Sequence, residues 1–243
     1  MTITLCAVSS ANISATERAL LLSQRQMKFD DTIFVTNADV STNENYRIEK
    51  CPVFTDRVES WNYAFYEIPK LIKTDHVLFV QYDGYILDGN YWSRDFLKYD
   101  YIGAKWPWHP DRRVGNGGFC LRSKKLLTLL SSCPAPKDHP EDDHICRILH
   151  DDLKRKGIVF APEEIADLFS YERGLPDQPT FGFHGLFNMW RHLEEDEMAK
   201  FLPQLDPYVV KSGHFNELLS TYWQQRRFKL VYQMLELRKL YNV

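Results

Sequence analysis

The run Val77-Leu78-Phe79-Val80 has no polar position and stops abruptly at Gln81-Tyr82-Asp83-Gly84. A strand with one solvated face would alternate; an unbroken apolar run of strand length suits a strand covered on both faces, as in a parallel sheet. Covering both faces takes helices, so this run points to a layered α/β domain. The neighbouring segments supply the layers. Ile3 to Val8 reads as a second buried strand and Thr32 to Val35 as a third, closed by the turn-like Thr36-Asn37-Ala38-Asp39. Between them, Ser14-Ala15-Thr16-Glu17 matches a capping box, opening a helix that carries Leu20, Leu21 and Met27. Val58, Trp61, Phe65, Ile68 and Ile72 recur at steps of 3, 4, 3 and 4, which puts them on one helix face, with Pro69 kinking or shortening that helix near its end.

Further along, Tyr99 to Ala104 and Phe119 to Leu121 read as short strands around Val114-Gly115-Asn116-Gly117-Gly118. A helix is expected from about Glu141, with Ile145, Ile148, Leu149 and Leu153 as its apolar stripe and Gly157 as its stop. Beyond Arg191 the pattern is helical only, and Phe215, Leu218, Leu219, Tyr222 and Trp223 match the template of one apolar helix face. The expected division is an α/β domain over residues 1–190, with a mostly parallel central sheet flanked by helices, and a C-terminal helical appendage over 191–243.

The net charge of -3 gives no reason to expect a nucleic-acid partner. The charge is uneven, however: residues 211–243 hold six Lys/Arg against two Asp/Glu, a balance of +4, which leaves -7 for the rest. Those basic, amphipathic helices are candidates for a homodimer contact or a peripheral contact with a membrane surface. Five scattered cysteines contain no CxxC pair and suggest a reducing compartment. The first ten residues lack the features of a signal peptide, and no run of about 18 apolar residues follows, so a cytoplasmic location is expected.

Four places have residues suited to chemistry. Asp83 sits just beyond the carboxyl end of a central strand, where open α/β sheets bind ligands; it could hold a hard divalent cation, or only make an Asp-Gly turn. Gly115-Asn116-Gly117-Gly118 removes side chains where a backbone turns tightly or approaches a ligand, but matches neither the dinucleotide nor the P-loop fingerprint. Glu141-Asp142-Asp143 can complement a helix macrodipole, or place a general base at the mouth of a cleft. His184, in Phe181-Gly182-Phe183-His184-Gly185, could be a second ligand to a cation on Asp83.

Taken in order, Gln81-Tyr82-Asp83-Gly84, Tyr99 to Trp106, Val114 to Phe119, Pro140-Glu141-Asp142 and Phe181 to His184 resemble a largely uncharacterised family of GT-A-type glycosyltransferases, over about residues 1–190. The resemblance implies a GT-A-like fold, a UDP- or GDP-linked sugar donor, Mn²⁺ or Mg²⁺, and a glycan, glycolipid or other hydroxyl acceptor. Only the second position of the family's Asp-x-Asp motif carries over, as Asp83, because the first is Gln81. Asp142 then matches the catalytic base, with Glu141 beside it, and His184 completes the metal site. Val8, Ser9, Ser10, Tyr82, Asp83, Asn116, Gly117 and Gly118 would meet the donor, and Trp106 and Trp108 could stack on a sugar or acceptor. Competing readings are a nucleotidyltransferase acting on a sugar phosphate, although Ser9 to Ile13 lacks the glycines and lysines a triphosphate calls for, and a non-catalytic sugar-binding protein.

Overall fold

The computed structural model describes residues 1–40 and 45–242. In chain order, β1 (Ile3–Ser9), α1 (Ile13–Gln26), β2 (Asp31–Thr36) and β3 (Arg47–Lys50) come first, then α2 (Arg57–Tyr66), α3 (Ile68–Leu71) and β4 (His76–Val80). The middle holds β5 (Tyr101–Ile102), β6 (Cys120–Ser123), α4 (Lys124–Leu130), α5 (Glu141–Asp143), α6 (His150–Arg155), α7 (Glu163–Phe169), β7 (Ser170–Tyr171) and β8 (Gly182–Phe183). Helices α8 (Glu195–Phe201), α9 (Pro207–Lys211), α10 (Gly213–Gln224) and α11 (Phe228–Leu240) follow.

The six-stranded sheet has the order β3-β2-β1-β4-β6-β5. The first four strands are mutually parallel, and β6 runs antiparallel to both β4 and β5. This is the mostly parallel, helix-flanked sheet expected from the sequence. Both faces are buried, as the apolar run at 77–80 requires. Leu5, Leu78 and Leu121 pack on one side with Leu20 of α1 and Phe169 of α7, while Cys6, Ile33 and Val77 pack on the other with Ile68 and Leu127. Ala7 pairs with Val80, so the segments leaving β1 and β4 emerge side by side at one sheet edge.

Three local expectations are corrected. The capping box does not form: α1 starts one residue before Ser14, and the residue ahead of it, Asn12, uses its side chain on Asp206, accepting the Asp206 N–H (2.8 Å) and donating to its carboxylate (3.3 Å). Glu17 instead accepts the Tyr46 hydroxyl. The helix from Glu141 passes through a π turn at His144–Ile148 before α6. That wider turn advances the phase of the helix, leaving Ile148 54% exposed and turning Cys146 inward. On α10, Phe215, Leu218 and Tyr222 are fully buried but Trp223 is 63% exposed, so the apolar stripe is narrower than its spacing suggested. Pro69 acts as expected, since α2 ends at Tyr66 and α3 restarts with the proline in its first turn.

The helices beyond residue 190 share a core with α1 and with the segment around β8. Phe215, Leu218, Tyr222, Leu230 and Met234 pack in one cluster with Ala15 and Ala19 of α1 and with Phe183, Leu186 and Met189. Among the described residues no helix is long and apolar enough to cross a membrane.

Candidate functional site

At the edge where β1 and β4 end, a cleft of about 380 Å³ opens. Val8, Ser9, Ser10, Tyr82, Gly117 and Glu141 line it, as does exposed Gln81. Side chains that sequence reasoning missed complete the wall. Phe54 and Trp61 come from the segment around α2, while Asp206 and Tyr208 come from the C-terminal helices. Trp61 had been grouped with a buried helix face; its partial exposure puts an aromatic ring in the cleft wall. By contrast Trp106 is buried, its ring filling the space where Gly115 has no Cβ, while Trp108 is 54% exposed.

Asp83 points away from the cleft into the protein. Gln81 and Gly84 exchange backbone hydrogen bonds (3.0 and 3.1 Å), so Tyr82-Asp83 forms the tip of a tight turn. Asp83 is 3% exposed, and its Oδ2 accepts the Leu186 N–H at 2.9 Å. Its Oδ1 makes no hydrogen bond and lies 3.4 Å from His184 Nε2, which also makes none.

The ring of His184 is placed by a two-residue parallel pairing. Ser170 pairs with Gly182 and Tyr171 with Phe183, so the next residues along, Glu172 and His184, emerge side by side. Glu172 Oε1 lies 3.2 Å from His184 Nδ1, and Asn116 Nδ2 lies 2.9 Å from the same nitrogen. Glycine is required around this ring. A Cβ on Gly118 would sit 1.9 Å from His184 Nε2, and one on Gly84 would sit 2.9 Å from Cδ2. Asn116 adopts φ +71, in the left-handed region that asparagine tolerates, and its Oδ1 accepts the N–H groups of Gly118 and Phe119. Thus Asn116 and Gly118 face the histidine, and Gly117 faces the cleft. Glu172 had no signal in the sequence, because a two-residue strand carries no periodicity.

Burial opposes charge on all three titrating groups, and their mutual pairing overcomes it. His184 is raised to about 10 by the carboxylates of Asp83 and Glu172 despite its desolvation. Asp83 and Glu172, likewise desolvated, are held below the ordinary carboxylate range chiefly by His184. Among the described residues no group of three or more His, Cys, Asp or Glu side chains is placed to hold a metal ion. Asp83 Oδ1 and His184 Nε2 nonetheless fit one: facing each other with no other hydrogen-bond partner, they have the spacing of adjacent ligands on a small cation, which would replace the proton on Nε2. An imidazole ligand favours Mn²⁺ over Mg²⁺.

Glu141 and Asp142 start α5; Glu141 lines the cleft, whereas Asp142 is not among its lining residues and sits against Gly117. Glu141 forms an ion pair with Arg122, which is 3% exposed and also packs its guanidinium over the rings of Phe79 and Tyr101. Asp142 accepts the Gly117 N–H at 2.8 Å and the Asp143 N–H at 3.0 Å. Burial and the neighbouring Glu141 push its carboxyl above the ordinary value, against those two hydrogen bonds. Asp142 is partly buried and forms no ion pair among the described residues.

A family model described as a protein of unknown function (DUF5672) matches residues 57–184, just over half of the chain. The chain belongs to the DUF5672 family. In this DUF5672 chain the matched stretch begins with α2 and ends on His184, so it contains Asp83, Asn116, Asp142 and Glu172 but neither β1 nor the C-terminal helices. Comparison with curated proteins gives no match. Among solved structures, glucosyl-3-phosphoglycerate synthase from Mycobacterium tuberculosis, in complex with Mn²⁺, UDP-glucose and glycerol 3-phosphate, is similar at 13% identity and a TM-score of 0.38. That match covers 52% of this chain and 58% of the synthase, so this chain spans less than two thirds of the synthase's length. A mannosyltransferase from Pyrobaculum calidifontis, in complex with GDP-Man and Mn²⁺, aligns with 97% of this chain and 73% of its own at 10% identity, with a TM-score of 0.48.

Proposed function

We propose that this DUF5672 protein is a glycosyltransferase, moving a sugar from a nucleotide-sugar donor to an acceptor hydroxyl with a divalent cation as cofactor. The observation that carries this reading is the Asp83–His184 pair, whose facing atoms Oδ1 and Nε2 are buried and hydrogen-bond no other group, behind the turn whose Gln81 and Tyr82 line a cleft at the carboxyl ends of β1 and β4. A hard cation on Asp83 and His184 would supply electrostatic stabilisation of a departing diphosphate. The other parts follow from the chain itself. Ser9 and Ser10, leaving β1, offer hydroxyls and backbone N–H groups to the donor, and Trp61 and Tyr208 offer ring faces to a base. Glu172 holds the Nδ1 side of His184, leaving Nε2 aimed at Asp83. Asp142 takes the proton of the acceptor hydroxyl as it attacks the anomeric carbon. Attack by the acceptor oxygen on the face opposite the departing nucleoside diphosphate would invert the anomeric configuration. Glu141, neutralised by Arg122, keeps the helix start in place instead of competing for that role.

The test is a thermal-shift screen of UDP- and GDP-linked sugars with and without Mn²⁺. A native-state ligand present at about 100 times its Kd stabilises by about 2.7 kcal/mol, which is a readily measured rise in melting temperature. A rise that needs both nucleotide sugar and cation supports the proposal; no rise with any donor contradicts it.

A further inference from the structure

We propose that the outer face of α10 and α11 is a docking surface for an anionic lipid bilayer. This proposal is independent of the sugar-transfer reading. Helix α11 has a buried and an exposed set of apolar residues. Leu230, Val231, Met234 and Leu237 are buried against the rest of the molecule. Phe228, Tyr232 and Leu235, spaced four and three apart, share a different side and are 56%, 65% and 40% exposed. Trp223, at the end of α10, is 63% exposed and meets Phe228 edge-on with ring centroids 5.7 Å apart, which carries the patch across the connecting turn. Large apolar side chains grouped in this way mark a surface that is covered in use.

The charges around the patch select the occupant. Arg226 and Arg227 fill the turn, Lys229 lies to one side of the exposed residues of α11, and Lys239 lies in line with them one turn beyond Leu235. Two acids answer them: Glu236 pairs with Lys239 at 2.6 Å, and Asp196 lies 3.5 Å from Lys229. Arg226 adopts φ +58, a left-handed conformation that glycine or asparagine takes more easily, so a cation is kept there against backbone preference. Contact with a second copy through this face would bring together two surfaces of the same positive balance, at a cost in like-charge repulsion. A bilayer with anionic headgroups removes that cost, and aromatic rings interspersed with long basic side chains suit the boundary between headgroups and acyl chains. Lying flat, α11 would present about 20 Å of face to the bilayer.

Co-sedimentation of the full chain with phosphatidylcholine vesicles, with and without one third phosphatidylglycerol, tests this. Binding is expected to the anionic vesicles alone, to weaken as salt is raised, and to blue-shift tryptophan emission in a way that Trp223→Ser removes. Arg226→Gln with Arg227→Gln should weaken binding roughly thirtyfold at low salt. Trp223→Ser with Phe228→Ser should abolish it while leaving the melting temperature unchanged, since both rings are mainly exposed. The proposal is overturned by equal binding to neutral and anionic vesicles, or by no binding at low salt. A stable dimer in solution that Trp223→Ser with Phe228→Ser converts to monomer, with no vesicle binding, overturns it in favour of a second copy.

Discussion

Glu141 and Asp142 begin the same helix, yet buried Arg122 neutralises the first while the second meets only two backbone N–H groups. The acidic run in the sequence admitted either residue as base; the partner that separates them lies on β6 and was not visible there. Asp142→Asn keeps an oxygen to accept the Gly117 N–H and removes the basicity. We expect turnover to fall by roughly 10²–10⁴ with donor affinity retained. Glu141→Gln should show the opposite profile, with near-normal turnover and a loss of roughly 3–5 kcal/mol in stability from the uncompensated guanidinium, read by denaturant unfolding. Inactive Glu141→Gln beside active Asp142→Asn would reverse the assignment.

The Asp83–His184–Glu172 group also gives the metal-free protein a pH signature. His184 is raised to about 10 from an ordinary 6.5, so its contribution is complete below 6.5 and is lost as pH rises towards 10. Asp83 and Glu172 are lowered from ordinary values of 3.8 and 4.5, so their contribution is present above those values and is lost as pH falls below them. Stability measured by urea unfolding in a chelator should therefore be greatest between about pH 4.5 and 6.5, with an alkaline decline that His184→Gln flattens. An alkaline limb unchanged by that substitution would show that the charged histidine contributes nothing to the fold.

At the scale of elements, what could be read from the sequence depended on length. The buried strands β1, β2 and β4 carry enough apolar residues to announce themselves, and so does the face shared by Phe65, Ile68 and Ile72. Strands β7 and β8 have two residues each, and their pairing depends on segments brought together by the rest of the fold, so Glu172 was missed although His184 was found. The capping box failed for a tertiary reason, the engagement of Asn12 with Asp206, and the π turn displaced Ile148 because periodicity assumes an unbroken α-helical phase. The glycine loop was legible as a place of close approach, but the approaching group is His184 at Gly118 and the open cleft at Gly117. Gly118→Ala should push the imidazole aside and abolish cation-dependent donor binding, whereas Gly117→Ala, whose Cβ would come no nearer than 3.3 Å to Asp142, should retain it. Calorimetric titration of donor with Mn²⁺ separates the two variants, and equal binding by both would contradict this placement of the ring.

At the scale of the molecule, the cleft and the core both cross residue 190. Asp206, Tyr208 and Val209 line the cleft, and Phe215, Leu218 and Tyr222 cover Leu186 and Met189. Truncation before Ser212 should expose that cluster and yield an aggregated or partly unfolded chain; a soluble monomer with an unchanged melting temperature would contradict this. We propose that Asp83 and His184 together serve sugar transfer from a nucleotide sugar. The most direct test is release of nucleoside diphosphate from the donor that binds, measured with and without Mn²⁺ for the wild type and for Asp83→Ala. We expect release stimulated by Mn²⁺ in the wild type and reduced to background in a folded Asp83→Ala variant. Mn²⁺-stimulated release that is undiminished in that variant would contradict the account.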